Sequence, residues 1–504
     1  MSIKALAKDT AVYGLSSIIG RFLNWCLVPL YVYLFPTEEY GIVTYLYGIT
    51  AVMLVILNYG METGFFRFAN KESDPEKVYT TSLISVGVTS LTFIILLTVF
   101  LHPISRALKL PDQSLFVWLI GATVAVDAFC NLPFAYLRYQ NRSWRFAGIK
   151  LINVGLNIGL NLFFLLLCPE IEKSMPASVA WFYTAAGGAS FGIGWIFVAN
   201  IISSYIILLL LMPQIMGRIW RFSWSLLKRM LTYSWPLLIL AIAGMLSQNM
   251  GQLLIPYLFS NEEAARSMVG IYGANMKIAI VMVMFTQAFR YAYEPFIFSQ
   301  AKQAGESAPR MYADAMKYFV IFGWLIFLGV MYYLPVLRYF ISPAYWEGLQ
   351  VVPVMMGAEL CFGVFFNLSL WYKLTDKTEW GMYLSLLCFS IMLGLNIWLV
   401  PAIGIPSGYM GAAWAALISY FMVMVISYFL GRKYYPLPYE TGRIIAYSAL
   451  ALVLYVAGEL MAGIFPEWAT YCLRSVMLLM YGFILAWFEN IPIITPILRK
   501  SLAK

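Results

Sequence analysis

Fourteen runs of about twenty mostly apolar residues, parted by short polar breaks, dominate this 504-residue chain and leave few folds open to it. They cover approximately 10–35, 40–66, 78–101, 115–137, 146–167, 190–212, 233–259, 268–298, 313–336, 348–372, 380–400, 409–430, 444–464 and 468–488. In hydrocarbon each backbone N–H and C=O must be satisfied within its own segment, so every run reads as a helix. A membrane β-barrel is excluded, because its spans alternate over only about ten residues. Charge makes the same point: 11% of the residues are charged, against roughly 25% in a soluble domain. The mean hydropathy is +0.77. A soluble enzyme, a disordered scaffold and a nucleic-acid-binding domain are excluded despite the net charge of +9. The chain is expected to be an all-α polytopic membrane protein whose side chains meet lipid.

The polar segment Met1 to Asp9 runs into apolar residues without a small-residue cleavage site, so the first span is read as retained. Orientation follows from Lys and Arg. With the N-terminus in the cytoplasm, 24 of the 33 fall on cytoplasmic segments and 5 on the opposite side. Both termini are therefore expected in the cytoplasm. The six cysteines form no CxxC pair, and His102 is the only histidine. Neither a disulfide framework, a zinc site nor a Ser-His-Asp triad is expected. No GxxxxGK[ST] phosphate loop is present.

The chain repeats itself. Leu34-Phe35-Pro36-Thr37-Glu38-Glu39 followed by Tyr40-Gly41 returns as Leu258-Phe259-Ser260-Asn261-Glu262-Glu263 followed by Val269-Gly270. Arg138 and Arg142 correspond to Lys373 and Lys377, and Gly159-Leu160-Asn161 to Gly394-Leu395-Asn396. Spans 1–6 thus return as spans 7–12. Six is even, so the halves run in the same direction, about an axis along the membrane normal with a substrate path between them. The expected divisions are 1–212 (spans 1–6), 213–436 (spans 7–12) and 437–504 (spans 13–14 with a cytoplasmic tail).

Several ordered segments resemble the Wzx-type polysaccharide and O-antigen flippases of the multidrug/oligosaccharidyl-lipid/polysaccharide exporter superfamily. They are Gly20-Arg21, Pro29 with Glu39-Tyr40-Gly41, Gly60-Met61-Glu62-Thr63-Gly64-Phe65-Phe66-Arg67, and Tyr233-Ser234-Trp235-Pro236. Gln287-Ala288-Phe289-Arg290-Tyr291-Ala292-Tyr293-Glu294-Pro295-Phe296 is the most specific, and Gly408-Tyr409-Met410-Gly411-Ala412-Ala413-Trp414 completes the set. The resemblance implies two pseudo-symmetric six-helix lobes in a V-shaped bundle like that of the multidrug exporters, plus two C-terminal helices. It implies a cavity lined by spans 1, 2, 7 and 8, moving a lipid-linked oligosaccharide to the periplasmic leaflet. Span 7 carries Gln248, Asn249 and Gln252 where relatives often have a charge.

Charges within spans cost roughly 3 kcal/mol each and so invite functional readings. Arg21 lies mid-span with Ser17 and Asn24 on one helical face. Lys277 lies in span 8, and Gln287, Arg290 and Glu294 form a second stripe there. These residues are read as a basic cavity for the diphosphate of an isoprenoid-linked sugar, with Arg donating in pairs and Lys as a mobile point charge. Arg290 and Glu294 can equally pair along their helix. Glu62, Asp127, Glu294 and Glu359 are candidates either for coupling to Na+ or H+ or for balancing nearby cations; no other cofactor is expected. Glu459 and Arg474 read as a packing pair, Asn153, Asn157 and Asn161 as interhelical hydrogen-bond donors. Trp181-Phe182-Tyr183 reads as an interfacial anchor or a stacking surface for sugars.

The leading reading is a flippase without an enzymatic site, whose partners are a lipid-linked oligosaccharide and membrane lipids. A polysaccharide polymerase and glycosyltransferases are its expected neighbours in the pathway. A multidrug exporter should prefer acidic cavity residues, and a glycan polymerase or acyltransferase needs a charged extramembrane loop. Around residues 168–189 only Glu170, Glu172 and Lys173 are charged.

Overall fold

The computed structural model describes residues 19–174, 181–185, 187–303, 308–375, 377 and 379–489, and among these the chain is helical with no strand. Fourteen apolar helices follow the order of the expected spans. They are α1 Ile19–Leu34, α2 Thr37–Ala69, α3 Pro75–Val99, α4 Pro111–Tyr139, α5 Ser143–Ser174, α6 Gly194–Ile215 and α7 Trp224–Leu258. The second seven are α8 Glu262–Gln303, α9 Ala308–Tyr332, α10 Pro343–Leu374, α11 Glu379–Ile403, α12 Gly408–Tyr434, α13 Thr441–Ala462 and α14 Glu467–Glu489. Thirteen are long and apolar enough to cross a membrane; α1 is shorter, its expected start and Ser17 lying outside the described residues. The polytopic all-α architecture stands.

Local chemistry marks where helices deviate. Cys26 and Leu27 form a turn in α1, and Pro29, lacking an N–H, opens the following segment Val28–Leu34. In α2, Tyr59 and Gly60 are both left-handed (φ 32° and 71°), so the helix breaks and restarts at Met61. Gly60 suits that turn twice over: it tolerates positive φ, and a Cβ there would lie 3.1 Å from that of Ser234. A π-helical turn, Phe163–Leu167, interrupts α5.

Packing divides the chain into two compact units, one reaching Ala274 and including Gly381–Ala412, the other comprising Asn275–Trp380 and the chain from Ala413 onward. In the first unit α4 packs on α6, α3 and α2, α6 packs on α5, and α2 packs on α7. The α2–α8 crossing belongs to this unit and is reciprocal. A Cβ on Gly41 would meet the Arg266 carbonyl oxygen at 1.9 Å, and one on Gly270 would meet that of Thr37 at 2.0 Å. The hydroxyls of Thr37 and Ser267 lie 2.8 Å apart, and Gly273 admits Thr44 one turn further on. Contact levels rise together along both helices, so the two run in the same direction. In lipid, where apolar burial against a neighbour gains little, such close backbone approach is what van der Waals attraction requires. At the other end of α2, Glu72, Asp74 and Glu76 pair with Arg229, Arg221 and Arg218 at 2.9, 3.3 and 3.2 Å, tying the α2–α3 turn to the α6–α7 connection.

In the second unit α9 is central, packing on α10, α13 and α14. Its polar contacts with the last two helices recur at several depths. Trp324 donates to Ser448 at 2.8 Å, Tyr332 to the Leu454 carbonyl at 2.8 Å, and the Tyr333 and Ser475 hydroxyls meet at 2.6 Å. Arg474 is buried and donates to the carbonyls of Gly458 and Tyr332 and to Glu459, the pairing expected from sequence. At the opposite end Lys317 meets Glu489 at 2.6 Å, Glu440 at 2.9 Å and Asp314 at 3.4 Å. Glu489 also accepts from Tyr447 at 2.5 Å. The Lys317 ammonium holds the Glu440 carboxyl below its ordinary value, so this contact stabilises at neutral pH and is lost as pH falls through that lowered value.

The Lys317 and Glu489 side chains are 6% and 3% exposed, so removing Lys317 leaves a buried carboxylate with only Arg443 at 3.5 Å and the Tyr447 hydroxyl to answer it. Lys317→Met is expected to cost roughly 3–5 kcal/mol. It should lower the unfolding temperature in detergent, and Lys317→Met with Glu489→Leu should recover most of that loss. A single variant as stable as the parent would contradict this account.

Candidate functional site

The second unit brings part of the expected basic stripe together with residues of α10. Helical period gives α8 two working faces. Phe285 and Phe289 pack on Phe319 of α9, with ring centroids 5.1 and 4.9 Å apart. Thr286 and Arg290 instead face α10. A Cβ on Gly363 would sit 3.0 Å from Thr286 Oγ1 and 2.3 Å from Phe319 Cζ, so glycine is what lets α8, α9 and α10 close together. Four residues before Gly363 stands Glu359, and four after it Asn367, whose side-chain nitrogen donates to the Gly363 carbonyl at 3.0 Å.

This seam is polar and incompletely satisfied. Glu359 is 9% exposed, and among the described residues it forms no hydrogen bond or ion pair. Thr286 Oγ1 and Asn367 Oδ1 are buried with no hydrogen-bond partner among the described residues. Arg290 is exposed and lies 4.5 Å from the centroid of Phe366. Gln287 is half-buried beside it, as is Lys277 nearer the start of α8. The Glu294 side chain lies outside the described residues, as therefore does the alternative Arg290–Glu294 pair.

In the first unit Arg21 and Asn24 are both exposed on α1. Glu62 pairs with Arg138, whose guanidinium lies over Phe66 and Phe146. Asp127 accepts from the Ser204 hydroxyl at 2.7 Å and interacts electrostatically with Lys150, itself 4.1 Å from the Phe134 ring centroid. Asp127 and Glu359 differ in surroundings: the first has a donor and a cation, and the second has neither among the described residues. A chain of hydrogen bonds crosses four helices. Tyr31 donates to Asn161 at 2.9 Å, Asn161 to Asn157 at 3.3 Å, Asn157 to Asn200 at 2.6 Å, and Asn200 to Tyr47 at 2.8 Å. The Asn157 and Asn161 spacing anticipates this role; Asn200 and the tyrosines carry no periodic signal.

Lys150 lies inside α5 and interacts electrostatically with Asp127, a contact its place in the apolar run 146–167 does not reveal. One aromatic reading is corrected. Tyr183, one candidate for sugar stacking, is 1% exposed and stacks on Trp195, which stacks on Phe164. It is core. The side chains of Trp181 and Phe182 lie outside the described residues.

Comparison with known proteins adds a family and a fold. The sequence profile of the family described as polysaccharide biosynthesis protein matches residues 6–300. No curated protein matches by sequence. The lipid II flippase MurJ in an inward closed conformation is similar in structure with a TM-score of 0.65 at 13% identity, over 96% of this chain and 100% of that one. An inward-facing multidrug resistance MATE family transporter of the MOP superfamily gives 0.64 at 14%, over 85% and 95%. A MOP superfamily transporter from Pyrococcus furiosus, whose binding pocket is described as of reverse polarity, gives 0.53 at 14%, over 84% and 95%.

The contrast between the two buried acids is testable by stability alone. Asp127→Asn weakens a charged hydrogen bond and strands Lys150, and should destabilise by about 1–3 kcal/mol. Glu359→Gln removes a buried charge that has no described partner, and should leave the unfolding temperature unchanged or raised. If both changes destabilise alike, Glu359 has a structural partner.

Proposed function

Because the chain belongs to the polysaccharide biosynthesis protein family, we propose that it is a flippase for a lipid-linked, isoprenoid-diphosphate oligosaccharide. It works by alternating access, from the cytoplasmic to the periplasmic leaflet of a bacterial inner membrane, with both termini in the cytoplasm. Arg290 carries this reading: an exposed guanidinium on α8, lying over the ring of Phe366. A diphosphate head group cannot cross about 30 Å of hydrocarbon unaided, and a planar donor fork suits phosphate oxygens. Arg21, Asn24, Lys277 and Gln287 contribute further contacts as the head group moves. A cationic drug would be poorly received by such residues, which disfavours a multidrug exporter despite the shared fold.

Coupling falls to Glu359. A buried carboxylate one helical turn from Gly363, with no hydrogen bond or ion pair among the described residues, suits a proton or Na+. Glu62 and Asp127, each already facing a cation, serve charge balance.

In this reading the α2–α8 crossing at Thr37 and Ser267 lies at the periplasmic end and must part for release. Cysteines in place of these two residues, whose hydroxyls are 2.8 Å apart, should form a disulfide. Oxidation should stop export of the surface polysaccharide and reductant should restore it. Deleting the gene should make lipid-linked oligosaccharide accumulate on the cytoplasmic side, and Arg290→Ala should reproduce this at unchanged protein abundance. Normal export by Arg290→Ala, or a deletion strain without such accumulation, would overturn the proposal.

A further inference from the structure

Residues 216–223 carry the chain from the end of α6 to the start of α7, and none of them is helical. The polar groups of this connection are answered by the α2–α3 corner. Arg218, Arg221 and, in the second turn of α7, Arg229 pair with Glu76, Asp74 and Glu72. The Thr80 hydroxyl donates to the Arg221 carbonyl at 2.9 Å, and Tyr79 donates to the Gln214 carbonyl at 3.2 Å. The Arg218 guanidinium also lies 4.8 Å from the Tyr136 ring centroid.

The apolar side chains are left facing outward. Met216, Ile219, Trp220, Phe222 and Trp224 are each 48% exposed or more. The rings of Phe222 and Trp224 adjoin, with centroids 6.4 Å apart. The same surface continues into a span: Trp235, about three turns after Trp224, is also exposed on α7. A connection of this length reaches at most about 28 Å, and both its ends enter membrane-spanning helices, so it stays at the membrane surface. Tryptophan there settles at headgroup level, its ring in apolar surroundings and its N–H wet. From charge alone, residues 218–229 would bind anionic lipid. The structure answers three of their four cations internally, and of the four only Lys228 has no ion pair among the described residues.

We infer that the α6–α7 connection is an interfacial anchor: Ile219, Trp220, Phe222 and Trp224 insert into one leaflet of the bilayer. Apolar area holds them there, and anionic lipid does not. The carboxylates of the α2–α3 corner mask the arginines, so the connection meets the leaflet with its aromatic side. This is the junction of the two halves expected from sequence, and it is held at the membrane surface rather than free in water. The inference does not depend on what the protein transports.

Spin labels on Ile219→Cys, Phe222→Cys and Lys228→Cys test it in the full-length protein, in phosphatidylcholine nanodiscs with and without phosphatidylglycerol. The background carries Cys26→Ser and Cys472→Ser, which removes the two exposed cysteines. Collision with oxygen, which prefers the bilayer, is compared with collision with a neutral nickel chelate, which prefers water. Labels at 219 and 222 should report depths of roughly 5–10 Å into the headgroup–acyl boundary. The label at 228 should be open to the chelate, and the depths should be the same in both lipid mixtures. Glu72→Gln with Asp74→Asn and Glu76→Gln frees the three arginines, and should make the depth at 219 and 222 change when phosphatidylglycerol is added. Labels at 219 and 222 that meet the chelate more than oxygen would overturn the inference and mark the face as solvated or as a dock for a soluble protein. Labels shielded from both reagents would mean that the chain covers the face itself, and would equally overturn it. Insertion that needs phosphatidylglycerol in the background protein, or a triple variant indifferent to it, would overturn the masking by the acids.

Discussion

Charge held among apolar helices must be answered by something, and the way each charge is answered organises this molecule. A charged side chain at mid-membrane costs roughly 3 kcal/mol even on permissive scales. Most are met from neighbouring helices: Glu62 by Arg138, Asp127 by Ser204 and Lys150, Arg474 by two carbonyls and Glu459. Lys317 is surrounded by three carboxylates. These contacts fasten helices to one another. Against that background the α8–α10 seam differs in holding one buried acid, Glu359, without a hydrogen bond or ion pair among the described residues.

Helix number and order are legible in the amino-acid sequence because hydrocarbon thickness sets the length of each run and backbone satisfaction allows only helix. The repeat expected from sequence rests on matches such as Glu38-Glu39 with Glu262-Glu263, across which Gly41 follows by two residues and Gly270 by seven. Glu459 and Arg474 lie at matching depth near the outer ends of adjacent helices, so their contact could be read in advance. Facing is a different matter. Periodicity puts Arg290 on a stripe but does not say that Phe366 and Lys373 lie across from it, because that depends on how α8, α9 and α10 close around Gly363. Lys150 is similar: its place in the apolar run does not reveal that it lies over Phe134 and interacts with Asp127.

The last two helices show how a segment outside the repeat is incorporated. They join α9 through contacts at both ends and between, and none of these draws on the residues proposed to handle substrate. The first unit has its own hydrogen-bonded chain of three amides and two phenols linking α1, α2, α5 and α6. Both devices use polar atoms whose partners are already supplied, which sets them apart from the α8–α10 seam.

The crossing of α2 and α8 has the character of a two-fold contact: each helix presents a glycine to the backbone four residues before the other's glycine. That is the pattern by which identical subunits recognise each other. Each glycine therefore constrains the other: a side chain on either would push the two backbones apart at both contacts, so the pair can change only together.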